Sequence, residues 1–219
     1  MSGIQAMMFG GGKLPPTLTF NGSYQSNTSA TSVSTSFSIG TADSTRVVII
    51  ALGAGKDSGG FASNPYSSVT IGGVSATLAV YSNVNTACGP AIYYASVPTG
   101  TSATVSFSIA AACHPILVDC WSVTNLSSST PSATNSAGGT ATSQSASLTI
   151  PTYGFAIGCA GTGAASPTLS SWTNLTAQTS YSQSNGAIWT SSYNTSGAAT
   201  RTVTFTSSIT ADLVVAAWS

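Results

Sequence analysis

Charge is what this sequence has least of. Its 219 residues include four basic side chains (Lys13, Arg46, Lys56, Arg201) and four acidic ones (Asp43, Asp57, Asp119, Asp212), with no glutamate. Charged residues make up 4% of the chain, against about 25% in an average domain. The net charge is zero, which argues against a nucleic-acid partner, because phosphates are neutralised by clustered Lys and Arg. The same lack argues against attachment to anionic membranes. No apolar run approaches the roughly 20 residues of a spanning helix, so membrane insertion is not expected. An uncharged surface is a solubility hazard for a free monomer and less of one for a protein fixed in an assembly.

Groups that carry catalysis are equally scarce. Glycoside hydrolysis uses two carboxyl groups flanking the bond. Asp43 and Asp57 sit among Gly, Ser and Thr, where turn formation accounts for them. Asp119 lies inside an apolar strand, where a structural role is expected through an arginine or backbone hydrogen bonds. Asp212 begins the last strand. His114 is the single histidine, in the turn-like Ala-Cys-His-Pro, and no Ser-His-Asp relay is specified. Cys113 and His114 lack further ligands at metal-binding spacing, and no acidic cluster asks for calcium. The Gly-rich stretches 53–60 and 158–163 lack the Lys-Ser/Thr and the helix of a phosphate loop. The sequence predicts a protein that is not an enzyme and has no cofactor and no metal.

The four cysteines are Cys88, Cys113, Cys120 and Cys159. Cys120 and Cys159 fall in apolar strands and read as small core residues. Cys88 and Cys113 read as loop residues, and a disulfide between them is not expected in a chain that folds in a reducing cytosol. The N-terminus has no basic region, and its apolar stretch, Ala6–Phe9, is too short for a signal peptide, so synthesis in the cytoplasm is expected.

What fills the chain instead is Ser and Thr, about a third of all residues, with 22 Gly and 42% apolar residues. The apolar residues come in short blocks of Val, Ile, Thr and aromatics, punctuated by Gly, Pro, Asn and Ser, which is the signature of strands. Val105, Phe107 and Ile109 alternate with Thr104, Ser106 and Ser108, as in a half-buried strand. RVVIIALG, residues 46–53, is apolar on both faces, as in a central strand. Fourteen strands are expected and no helix.

The two halves echo each other. Ala91-Ile92-Tyr93 is matched by Ala187-Ile188-Trp189, residues 104–108 (TVSFS) by 202–206 (TVTFT), and Trp121-Ser122 by Trp218-Ser219. The pattern fits two tandem small sandwiches or one sandwich with internal pseudo-symmetry, with halves near 33–126 and 145–219. Each half has few bulky residues, so one shared core with Greek-key or jelly-roll connections is the expectation, over a domain of residues 17–219. Residues 127–144 read as a linker or surface loop. Ahead of them all, residues 1–16 join an apolar patch (Ile4, Met7, Met8, Phe9) to Gly10-Gly11-Gly12 and a stiff Pro15-Pro16 step. This reads as a docking arm, with a frayed terminus as the alternative.

The series Arg46-Val-Val-Ile-Ile, Val69-Thr-Ile-Gly-Gly-Val-Ser-Ala-Thr-Leu78, Ala91-Ile-Tyr-Tyr, Pro98-Thr-Gly-Thr-Ser-Ala-Thr-Val105, Trp121-Ser-Val-Thr-Asn-Leu126 and Thr130-Pro131 resembles a β-sandwich family. Its members are found in bacterial surface proteins and in phage or prophage structural genes. The resemblance covers residues 33–219 and rests on hairpin turn signatures, so it speaks to fold and not to activity. The opening Met-Ser-Gly-Ile-Gln and Met8-Phe9-Gly10-Gly11-Gly12 are similar to the starts of small genes near the tail or neck modules of tailed phages. Together these imply a fibre, spike or decoration protein of a virion, homo-oligomeric as a trimer or ring. The alternative is a carbohydrate-binding or adhesin module of a bacterial surface protein. For contact with a host-surface glycan, Tyr66 and Trp172 are the candidates, because both read as loop aromatics, while Trp121 and Trp218 end matching strands and read as core.

Overall fold

RVVIIALG is apolar on both faces because the strand it forms is covered on both. The computed structural model describes residues 14–56, 61, 63–82, 89–164, 168–183, 186–193 and 197–219, with the side chains of 191–193 set aside. Ile4, Met7, Met8, Phe9, Asp57 and Cys88 lie outside the described residues. The chain is all-β, built of two antiparallel sheets packed together as a sandwich.

The first sheet takes β1 (Thr17–Ser26), β2 (Ala30–Ser38), β3 (Val47–Lys56), β4 (Tyr66–Ile71), β5 (Val74–Ser75), β6 (Thr77–Tyr81), β7 (Ala91–Ser96) and β8 (Ser102–Thr124). The second takes β9 (Ala133–Ile150), β10 (Phe155–Thr162), β11 (Leu169–Thr173), β12 (Thr176–Gln183), β13 (Gly186–Tyr193) and β14 (Gly197–Trp218).

One long strand organises each sheet. The first part of β8 lies between β2 and β4, and its second part lies between β1 and β3, with β7 and then β6 beyond β3. In the second sheet β14 repeats this order. Its first part lies between the second part of β9 and β11, and its second part lies between the first part of β9 and β10, with β13 and β12 beyond. Each sheet thus has a portion of three long strands, extended by the two-residue β5 in the first sheet, and a five-stranded portion; β8 runs through both in the first sheet, and β9 and β14 both do so in the second. The sequence echoes fall on equivalent strands, β7 with β13 and β8 with β14.

Strand alternation sorts the apolar side chains into three cores. In the first sheet Val48, Ile50 and Leu52 of β3 cluster with Val33 and Phe37 of β2, Ile71 of β4 and Phe107 of β8. The three-stranded portion therefore folds over one face of the five-stranded portion. In the second sheet Leu148, Trp189, Val203, Phe205 and Val215 form the matching cluster. The opposite faces of the two five-stranded portions meet in a third core. Here Val47, Ile49, Leu117 and Trp121 pack with Phe155, Ile157, Val214 and Trp218. Instead of one shared core, each half has a core of its own and the halves share another. Small residues (Ala51, Cys159, Ala216) let the two sheets approach closely enough for few bulky groups to fill the space.

Three further expectations need correcting. Residues 133–144, read as part of a linker, form the first part of β9 and the start of its second. Their Ala, Gly, Ser and Thr side chains give no apolar alternation, because this part of the strand runs along a sheet edge. The segments expected as separate strands at 103–109 and 116–123, and at 201–206 and 211–218, run together as β8 and β14. Cys113, expected on a loop, is buried within β8.

Candidate functional site

The chemistry-bearing residues fold into separate structural roles. Asp43 is half-buried and accepts hydrogen bonds from the Thr45 backbone N–H at 2.7 Å and the Thr45 hydroxyl at 2.6 Å. These bonds hold its carboxyl below the ordinary 3.8. Asp119 is fully buried on β8, where Thr190 of the second sheet donates its hydroxyl to Oδ2 and Oδ1 has no hydrogen-bond partner. Loss of solvent raises its pKa, and the hydroxyls of Thr190, Ser23 and Thr179 oppose that rise. The expected arginine or backbone partners are replaced by side-chain hydroxyls. Asp212, buried on β14, accepts the Ser82 hydroxyl at 2.9 Å. His114 is half-buried in β8, ahead of a cis bond to Pro115. Among the described residues no three His, Cys or Asp side chains gather as a metal site. Cys113, Cys120 and Cys159 are buried, and burial pushes the Cys120 thiol up to about 12.

The aromatics also differ from expectation. Tyr66 stands at the start of β4, not on a loop. It is buried in the first core, with its hydroxyl donated to the Gly89 carbonyl at 2.8 Å. Asn64, accepting from the Tyr66 backbone N–H, had given that stretch its turn-like reading. Trp172 is half-buried on β11 and packs against the second core, with its indole N–H enclosed and unpaired. Neither ring forms an exposed aromatic platform.

Burial of four of the eight charges makes the exterior poorer in charge than the sequence already was. Arg46, Arg201, Asp119 and Asp212 are all at most 1% exposed. Arg46 donates to the carbonyls of Val97, Ile39, Gly40, Thr41, Thr99 and Gly100, and so clamps the two turns at one end of the first sheet. Among the described residues the accessible charged side chains are Asp43 and Lys56.

What the exterior presents instead is hydroxyl. On the three-stranded portion of the first sheet, the outward positions are Ser32, Ser34, Ser36 and Ser38 of β2, Ser102, Thr104, Ser106 and Ser108 of β8, and Ser67 and Thr70 of β4. The second sheet repeats this with Ser143, Ser145, Ser147 and Thr149 of β9, Thr200, Thr202, Thr204 and Thr206 of β14, and Ser171 and Thr173 of β11. Pairs across neighbouring strands bond to each other: Ser36 with Thr104 at 2.8 Å, Ser145 with Thr202 at 2.8 Å. The Ser/Thr alternation in the sequence signalled these faces.

One end of the molecule is different. Leu14, Pro15 and Pro16 meet Asn125, Ser127, Thr152, Tyr153 and Ser219 around a cavity of about 560 Å³. Two of the exposed large apolar side chains stand here, Leu14 at 68% and Tyr153 at 73%. Tyr153 is the third residue of a turn closed by the Gly154 N–H to the Pro151 carbonyl at 2.8 Å, with φ of 62°. That is the geometry of a type II turn, whose third position favours glycine. Holding a bulky ring there costs energy, and such outliers concentrate at functional positions. Gly154 is fixed by its surroundings, because a Cβ would lie 2.4 Å from the Trp218 carbonyl oxygen. Residues 1–13 join the described chain at this end, through Leu14.

Comparison with protein families, with curated proteins and with solved structures finds no match for this chain.

Proposed function

We propose that this chain is a non-enzymatic structural protein of a tailed-phage virion, of the fibre, spike or decoration kind. Its N-terminal arm anchors it, through Ile4, Met7, Met8 and Phe9, to other virion proteins, and its sandwich is displayed to the outside. The observation that carries the reading is that Leu14 and Tyr153 line one cavity at the end where residues 1–13 join the described chain. Two exposed apolar side chains, one held on a strained turn, stand where residues 1–13 join a body whose outer sheet faces are largely hydroxyl. Apolar patches of this kind mark contact surfaces. The lack of accessible charge fits a protein held at its place by an anchor rather than by electrostatic attraction.

A second reading, a carbohydrate-binding or adhesin module of a bacterial surface protein, is favoured by the two broad hydroxyl faces, which offer donors and acceptors to sugar hydroxyls without charge. The readings are compatible, since a displayed protein can also carry adhesion to host-surface glycan.

Removing residues 1–13 tests the anchoring. The shortened chain is expected to fold with an unchanged unfolding midpoint and to be missing from assembled particles. A shortened chain incorporated at the normal level contradicts the reading.

A further inference from the structure

The edges of the two sheets are not alike. β1, β6, β11 and β12 each pair on one side, and each carries an irregularity in register. Bulges of this sort keep an edge from pairing with another chain. β5 is only two residues long. The second part of β9 runs regularly, but its Ser147 carbonyl is occupied by the Asn135 side chain at 2.7 Å.

β2 has its one register irregularity at its start, between Ala30 and Ser32, and none over residues 32–38. Among the described residues it pairs with β8 alone, and its register runs unbroken from Ser32 opposite Ser108 to Ser38 opposite Ser102. The strand holds no charge, no proline and no glycine. Its outer row of backbone N–H and C=O groups is therefore a ready template for one more strand.

The sequence of this edge says what fits it. Residues 32–38 read SVSTSFS, the same pattern from either end, with Thr35 at the centre. We infer that β2 pairs antiparallel with β2 of a second copy, about a twofold axis through Thr35. Ser34 then stands opposite Ser36 and Val33 opposite Phe37. Residues directly opposite in an antiparallel pair share a face. The serine hydroxyls thus stay on the outer face, and Val33, the half-buried Thr35 and Phe37 stay on the face of the first core. A slip of one residue sets Ser opposite Val or Phe and puts the two faces out of phase. The self-matching pattern selects a second copy over an unrelated strand, and no charge on either edge opposes the approach. The interface is isologous, which closes as a dimer rather than a trimer or an open fibre.

The inference goes beyond the reading above, gives a dimer in place of the trimer or ring expected from the sequence, and is independent of the anchor. The test is sedimentation equilibrium on the purified full chain at high micromolar concentration and low salt. A particle of twice the 21.7 kDa chain mass is expected. Ser34→Lys with Ser36→Lys sets like charges opposite one another and is expected to give monomer, with the unfolding midpoint of the parent chain in dilute solution retained because both positions are exposed. Ser34→Lys with Ser36→Asp sets opposite charges across the axis at both pairs and is expected to restore the dimer. A parent chain that is monomeric or trimeric overturns the pairing, as does a dimer that survives both lysines. A monomer whose arm still directs incorporation overturns this pairing alone and leaves the anchoring intact.

Discussion

Thr190, on the second sheet, donates its hydroxyl proton to Asp119 on the first. The reverse contact exists too: Ser82, just past β6 in the first half, donates to Asp212 on the second sheet. Each half therefore buries one carboxyl in the layer between the sheets, and one oxygen of each accepts a hydroxyl from the other half. Around these contacts lies the third core, with Trp121 and Trp218 both fully enclosed. The halves are joined by a shared apolar interior and two polar pins, which makes them one cooperative body.

That joining predicts a single unfolding transition. Trp121→Ala or Trp218→Ala removes a large side chain from the shared core and is expected to cost about 3–5 kcal/mol. Denaturant unfolding followed by circular dichroism should show one transition moving to lower midpoint. Separate transitions for the two halves would mean that the third core does not couple them.

Asp119 predicts a pH dependence of definite sign. Its carboxyl holds its proton more tightly in the folded chain than the ordinary 3.8, because burial disfavours the charged form. The unfolded state thus releases that proton first, and the contribution of Asp119 falls as pH rises above 3.8 towards its raised value. Asp119→Asn removes the penalty and still accepts from Thr190. The variant is expected to gain stability over the parent at neutral pH and to match it in acid. Thermal unfolding across pH measures the difference; a variant less stable at neutral pH would contradict the assignment. Asp43 acts in the opposite sense, its contribution being lost as pH falls below 3.8.

Arg46 is the clamp of the first sheet. Arg46→Met keeps much of its apolar stem and leaves six carbonyl oxygens without their charged donor. The expected loss is at least about 3 kcal/mol, because hydrogen bonds to a buried charge are among the strongest. Chemical denaturation gives the value directly.

Much of this was legible from residue order. The two-sided run at 46–53 and the alternation at 103–109 gave strands β3 and β8, and the echoes at residues 91 and 187 and at 121 and 218 marked equivalent strands. What escaped was structure held by small polar side chains. The first part of β9 and all of β11 are made largely of Ser, Thr, Ala and Gly, and their pairing to β14 rests on backbone groups that leave no apolar period. Tyr66 and Trp172 read as loop residues because Asn-Pro and Ser-Ser precede them, yet Tyr66 lies in the first core and Trp172 packs against the second. The arm exit was invisible for another reason: Leu14 and Tyr153 are far apart in sequence and meet only in the fold.

Tyr153 separates stability from attachment. Tyr153→Gly relieves the positive φ and is expected to stabilise the chain by about 0.5–1 kcal/mol, after the greater freedom of glycine in the unfolded chain is counted. It also deletes one of the two apolar groups at the arm exit. A more stable variant that incorporates into particles less well is the expected outcome, read from the melting temperature and particle occupancy together.

The central claim is that this sandwich is a displayed virion component held by its N-terminal end. Electron cryomicroscopy of the native particle tests it most directly. The account predicts density for the two-sheet body outside the particle wall, with the end bearing Leu14 and Tyr153 against the wall and the hydroxyl faces turned to solvent. A particle that lacks the chain, or one that holds it by a hydroxyl face with the arm end free, would contradict the account.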